Sequence, residues 1–207
     1  MIHTEALTEH SKKIFPLLPQ FPGFCLAGGT ALALQIGHRV SVDFDFFSER
    51  QIEKSLLEKV KKIFAGFSVS VSVNDPGELT IFVGETKLTF LYYPFPVLFP
   101  TVAYGGVAML SVPEIAATKA YTIGRRGSYK DYVDLYFIIS EKFSALEEII
   151  RSAEKKYRNE FNSRLFLEQL IYLDDIEDTG IMFLRDGPGD KAAIDSFFTS
   201  QVKKLTL

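Results

Sequence analysis

Between residues 27 and 46 the chain reads Ala-Gly-Gly-Thr-Ala-Leu-Ala-Leu-Gln-Ile-Gly-His-Arg-Val-Ser-Val-Asp-Phe-Asp-Phe. A short apolar run from Phe24 to Ala27 meets Gly28-Gly29, and Thr30 opens a helical stretch that Gly37 ends. A second apolar run over residues 41–47 reads as a strand carrying Asp43 and Asp45. Strand side chains alternate, so these two carboxylates share a face. Flanked by Val42, Phe44 and Phe46, they are unfavourable there unless they hold something positive. We read that partner as magnesium, because Mg²⁺ characteristically combines one or two carboxylates with phosphates and waters.

The glycine turn fits the same chemistry. Gly28, Gly29 and Thr30 at a strand-to-helix junction offer close backbone approach, N–H donors and the positive end of a helix, all suited to a phosphate. A plain tight turn is the structural alternative. Ser41 stands two residues before Asp43 and shares its face, so its hydroxyl reaches metal, phosphate or backbone. Arg39 either touches phosphate or pairs with an acid.

The remaining chain sorts into two halves. A first helix is expected from a Thr4 cap to about Leu18, and another over residues 51–65 behind a Ser48 cap. From Phe67 to Tyr93 the apolar period becomes two, with turns at Asn74–Gly77 and Gly84-Glu85, which predicts three antiparallel strands. A proline-rich crossing and Gly105-Gly106 lead to a short strand over residues 107–110. Beyond it the pattern is helical, starting at Ser111-Val-Pro-Glu114, which reads as a capping box, and running to about Gly124. A helix from Ser128 to Ile139 follows, then others over 144–158, 163–173 and 190–204. The expected class is therefore α+β: a mixed sheet with helices in residues 1–110 and a helical bundle in residues 111–207.

Composition narrows the functional classes. A net charge of −3 over 207 residues argues against a protein-wide electrostatic grip on nucleic acid. A single cysteine, Cys25, excludes an internal disulfide framework and fits a reducing, cytoplasmic setting. No apolar run reaches the roughly 18 residues of a membrane span.

A third constellation lies in the helical half. Lys119 has apolar neighbours Ile115, Ala116, Ala117 and Ala120, so it either snorkels to solvent or reaches a charged partner such as a triphosphate. Asp131 completes a Ser128-x-x-Asp capping box, or else partners Lys119 or acts as a base near an acceptor hydroxyl. Asp134, one turn on, supports Asp131 or pairs with Lys130. Arg125, Arg126, Lys155, Lys156, Arg158 and Arg164 form a candidate RNA-facing strip, with a solvated surface as the alternative.

Taken in order, Gly28-Gly29-Thr30, then Ser41-Val-Asp43-Phe-Asp45, then Lys119, Arg125 and Lys130-Asp131-Tyr-Val-Asp134 resemble the AbiEii/AbiGii toxin family, nucleotidyltransferase-like proteins of the DNA polymerase β superfamily. The resemblance covers roughly residues 20–140. It implies transfer of a nucleoside monophosphate from an NTP co-substrate, with Mg²⁺ or Mn²⁺, onto RNA (tRNA in some members) or a protein hydroxyl. It also implies a toxin with an antitoxin encoded nearby and a role in antiviral defence. Carried over, Gly28, Gly29 and Thr30 hold the triphosphate, Lys119 steadies the phosphates, and Asp43 and Asp45 hold metal, with Ser41 taken from its position as a further nucleotide contact. Asp131 is the later essential acid. Arg39, Arg125, Arg126, Lys130 and Asp134 are candidate substrate contacts. One departure stands out: the superfamily's third metal carboxylate belongs on a following strand, and Lys87-Leu-Thr89-Phe has no acid. The alternatives are therefore a catalytically weak nucleotide- or partner-binding module of the same fold, and a glycosyltransferase using Asp-x-Asp. On the main reading, Lys119 and Asp131 complete a cleft begun by residues 28–45.

Overall fold

A computed structural model of the chain describes residues 1–178 and 180–205. Its backbone contacts divide it into two compact units, Met1–Pro96 with Pro100–Ser111, and Val97–Phe99 with Val112–Leu207. The architecture is α+β, with a seven-stranded mixed sheet in the first unit and helices in the second.

The first unit begins with a broken helix where one continuous helix was expected. A 3₁₀ turn (Thr4–Ala6) precedes α1 (Glu9–Ile14), and a second 3₁₀ segment covers Phe15–Gln20. Thr8, not Thr4, caps α1, its side chain accepting from Ser11 N–H at 3.1 Å. The break has two causes. Leu7 is extended and bridges to Ser41, and Pro16 and Pro19 lack the N–H groups that would carry an α-helix onward.

Strand β1 (Cys25–Ala27) runs into α2 (Gly28–Ile36), which Gly37 terminates. Strand β2 (Phe44–Ser48) then pairs antiparallel with β1, from Cys25 opposite Phe47 to Ala27 opposite Asp45. The strand begins three residues later than expected, so Asp43 immediately precedes it. The reason is local: β1 turns into a helix at Gly28 and offers no partner beyond Asp45, while Ser41 N–H donates to Ala6 O at 2.9 Å instead. Ser48 closes β2 rather than capping the next helix, and its Oγ accepts from Arg50 N–H at 3.2 Å. Helix α3 (Leu56–Ile63) accordingly starts later than the pattern suggested.

The period-two segments form β3 (Val69–Asn74), β4 (Glu78–Val83) and β5 (Thr86–Tyr92). Strand β5 pairs parallel with β2, placing Thr89 opposite Asp45. A strand the sequence did not announce, β6 (Val102–Tyr104), forms a hairpin with β7 (Val107–Met109). Gly105 and Gly106 make its two-residue turn with φ of 55° and 82°, the doubly positive geometry that matches strand twist. The final order is β3-β4-β5-β2-β1-β7-β6. One face of the sheet is sealed by aromatics: Phe46 stacks on Phe90 at 5.2 Å, and Phe21 and Phe24 close on Phe90 at 4.9 and 5.0 Å. Burying such a ring contributes about 1.5–3 kcal/mol. The alternate residues of β2, Asp45 and Phe47, are half-buried on the other face.

The second unit holds α4 (Val112–Arg126), α5 (Tyr129–Ser140), α6 (Leu146–Tyr157), α7 (Ser163–Leu170) and α8 (Lys191–Lys203). Helix α4 continues past Gly124, and Arg125 and Arg126 occupy its last turn, where cations oppose the negative end of the dipole. The expected Ser111–Glu114 box does not form. Glu114 is fully buried and accepts from Leu98 N–H (2.8 Å), Phe99 N–H (3.0 Å) and Lys156 Nζ (2.5 Å). Two backbone donors and an ammonium outcompete a local cap, and the Ser111 hydroxyl is left without a hydrogen bond among the described residues. No helix among the described residues is long and apolar enough to cross a membrane.

Candidate functional site

The glycine turn and the carboxylates meet in the first unit. Gly28 takes φ 64°, in the left-handed region, and a Cβ built on it would stand 2.6 Å from Asp45 Oδ2. Any side chain here would displace that carboxylate, so glycine is required both by conformation and by space. A Cβ on Gly29 would collide with the Arg39 guanidinium and lie 3.5 Å from Ser41 Oγ. Arg39 is only 4% exposed, with Nη1 donating to Val40 O at 3.1 Å, so it lies beneath the turn instead of on the surface. Thr30 is buried and its hydroxyl contacts Ser41 Oγ (2.7 Å) and, at very short range, Asp43 O. Thr30 and Ser41 therefore act as struts between the first turn of α2 and the segment that delivers Asp43.

The two carboxylates flank the fully buried Phe44 and are both half-buried. Asp43 Oδ2 lies 3.6 Å from Lys87 Nζ, with each side chain more than a third exposed. An exposed pair of this kind contributes about 0–1 kcal/mol, so the ammonium is easily exchanged for another cation. Opposite Asp45, Thr89 continues a hydroxyl row: Thr80 Oγ approaches Thr89 Oγ at 3.4 Å and donates to Glu78 Oε1 at 2.5 Å. Among the described residues, no group of three or more His, Cys, Asp or Glu side chains is arranged to hold a metal ion. Lys87 was not singled out in the sequence. Its alternation with Thr89 and Leu91 on β5, parallel to the carboxylate strand, was the available signal.

The later constellation assembles in the second unit. Lys119 Nζ is 2.7 Å from both Asp131 Oδ1 and Asp134 Oδ2. Lys119 and Asp131 are 8% exposed and Asp134 is fully buried. Asp131 serves two masters at once: its Oδ2 also accepts the Ser128 N–H and hydroxyl, each at 2.9 Å. The capping box and the lysine partnership are thus one structure. Asp134 pairs with Lys119 and not with Lys130, which is half-buried. Arg125 lies 4.3 Å over the Tyr121 ring and 3.5 Å from Glu160 Oε2, and both Arg125 and Arg126 are exposed. Lys156 leaves the proposed basic strip altogether, being buried against Glu114.

A mixed sheet whose glycine turn closes on a carboxylate strand, followed by helices, is the architecture of nucleotidyltransferase-fold proteins. The structure is similar to MenT4, a nucleotidyltransferase toxin of Mycobacterium tuberculosis H37Rv, with a TM-score of 0.63 at 16% identity, over 94% of this chain and 82% of that one. It is also similar to JHP933 of Helicobacter pylori, with a TM-score of 0.57 at 17% identity, over 99% and 95% of the two chains. In sequence, the chain is 32% identical over 165 residues to protein aq_aa25 of Aquifex aeolicus (strain VF5), covering 73% of this chain and 74% of the relative. Residues 13–200 match the family described as nucleotidyl transferase AbiEii toxin, type IV TA system, and the chain belongs to that family.

Proposed function

We propose that this AbiEii-family protein is a metal-dependent nucleotidyltransferase that moves a nucleoside monophosphate from an NTP to an acceptor hydroxyl, and that it acts as the toxin of a toxin–antitoxin pair. The observation that carries this reading is the turn closed on the carboxylate strand, where Gly28 leaves beside Asp45 Oδ2 the space that a Cβ would fill.

The residues present fit a hard divalent cation. Asp43 and Asp45 offer carboxylate oxygens two residues apart, and the Lys87 ammonium already answers the negative charge at Asp43. Mg²⁺ or Mn²⁺ would be held by those two carboxylates and would supply positive charge to the phosphoryl oxygens. The chain's own residues do the rest. The first N–H groups of α2 favour the triphosphate by hydrogen bonding and by the helix dipole. Thr30 and Ser41 fix that turn against Asp43, so donors and carboxylates keep one geometry. In the transfer, the acceptor oxygen bonds to the α-phosphorus, the bond to diphosphate breaks, and the hydroxyl proton passes to a carboxylate. Lys119 and Asp131 are assigned as further residues required for transfer. A buried ion pair is weak support for stability on its own, which favours a functional reason for keeping Lys119 between two acids. RNA, with tRNA foremost, or a protein hydroxyl is the acceptor, and the antitoxin is encoded beside the toxin.

A second reading, a nucleotide-binding module without turnover, draws on Thr89 standing opposite Asp45 where the superfamily pattern expects an acid. Incubating the protein with total RNA, a protein panel, Mg²⁺ and each labelled NTP separates the two. Label should enter one acceptor with wild type and fall at least a hundredfold with Asp43→Asn or Asp45→Asn. Unchanged transfer in both variants overturns the residue assignment, and NTP binding without transfer selects the second reading.

A further inference from the structure

At the opposite end of the β1–β2 pair from the carboxylates lies a cavity of about 190 Å³. Phe24 precedes β1 and Ser48 ends β2, so antiparallel pairing brings them together there, three residues along β2 from Asp45, or about 10 Å at 3.3 Å per residue. None of Gly28, Thr30, Asp43 or Asp45 lines this cavity. Its walls include Phe24, Ser48, Arg50, Glu53, Ser55 and Lys59.

The charges in it are unbalanced. Arg50 and Lys59 form no ion pair among the described residues. Lys59 Nζ rests 5.7 Å over the Phe21 ring. Glu53 is the one carboxylate in the wall, and it accepts the Ser55 hydroxyl at 3.1 Å. Two guanidinium-type or ammonium cations against one carboxylate leave an excess positive charge in a chain whose net charge is −3. Ser48 is 8% exposed; its Oγ accepts Arg50 N–H, and its hydroxyl hydrogen has no acceptor among the described residues. The first turn of α3 also borders the cavity and adds its positive dipole end. The volume lies below the roughly 300–1,000 Å³ of sites for drug-sized ligands, so it takes a compact polyoxygen anion and not a whole nucleotide.

We propose that this cavity is a phosphate-binding site, separate from the proposed transfer site, with Arg50 and Lys59 as its charge and Ser48 as its buried donor. The phosphate is borne either by a free ion, phosphate or diphosphate, or by the backbone of a polynucleotide strand. Arg50 suits either source, since a guanidinium meets two phosphate oxygens at once.

The test is calorimetric titration of the full chain without divalent ions, using sodium diphosphate in one arm and a short oligoribonucleotide in the other. Wild type should bind at least one probe, with Kd raised at least tenfold in the double variant Arg50→Ala/Lys59→Ala. Arg50 and Lys59 are exposed, and Lys59 loses only its contact over the Phe21 ring, so the double variant should unfold close to the wild-type temperature. The double variant leaves the glycine turn and its carboxylates intact, so loss of binding in it separates this site from the proposed transfer site whatever becomes of the transfer reading. Binding confined to diphosphate identifies a free ion. Oligoribonucleotide binding that weakens with salt, and is lost in the double variant, identifies a strand. Equal binding by wild type and the double variant, or no binding of either probe by wild type, overturns the proposal.

Discussion

Gly28→Ala tests whether the turn and the carboxylate strand are mechanically coupled. At φ 64° an alanine adopts a left-handed conformation, which costs about 1–2 kcal/mol for an L-residue. Its Cβ also arrives 2.6 Å from Asp45 Oδ2 and 3.4 Å from that residue's Cγ. The carboxylate end can rotate away, at about 0.5–1.5 kcal/mol for leaving its preferred rotamer. The expected destabilisation is therefore about 1.5–3.5 kcal/mol, read from urea unfolding curves at constant slope. In an Asp45→Ala background the second contribution disappears, so the same substitution should cost only about 1–2 kcal/mol. Metal–NTP affinity should fall with Gly28→Ala as well, because Asp45 no longer faces the turn. Equal destabilisation in the two backgrounds, or a Gly28→Ala protein as stable as wild type, would refute the coupling.

Lys119→Met strands the fully buried Asp134 and the 8%-exposed Asp131, and should destabilise by about 3–5 kcal/mol in the same assay. Adding Asp134→Leu should recover part of that loss, and a Lys119→Met effect below about 1 kcal/mol would show that the pair is not buried as described. Burial, aided by the negative charge of Asp131, pushes the Tyr132 phenol from 10.0 up to about 12. The fold thus favours the neutral phenol: this stabilisation is complete below pH 10 and lost as pH rises through 12. Two units correspond to about 2–3 kcal/mol, visible as a steep alkaline loss of stability that Tyr132→Phe flattens. A tyrosinate titration in which every phenol ionises near its ordinary value would contradict it.

Local patterns carried much of the fold. The alternation from Phe67 to Tyr93 foretold β3–β5, because a half-buried strand imposes period two on its own residues. The Gly28-Gly29 turn into α2 was legible for a similar reason: turn chemistry is written at single positions. What escaped depends on distant partners. Leu7 leaves the helical pattern because Ser41 pairs with it. Glu114 abandons its local cap because Leu98, Phe99 and Lys156 compete for its oxygens. Thr30 packs against Ser41 and Asp43, and Arg39, for which the sequence left phosphate contact and acid pairing both open, lies beneath the turn. Of the readings Asp131 offered in the sequence, the capping box and the Lys119 partnership occur together, on its separate oxygens.

In the proposed function the Gly28 turn and the Asp43–Asp45 pair together hold a metal-bound nucleotide. Calorimetric titration of Mg²⁺–NTP into wild type and Asp45→Asn tests it directly. Wild type should bind in a magnesium-dependent way, and binding should weaken at least tenfold in the variant. Binding of equal strength in both proteins, or binding that ignores magnesium, would contradict it.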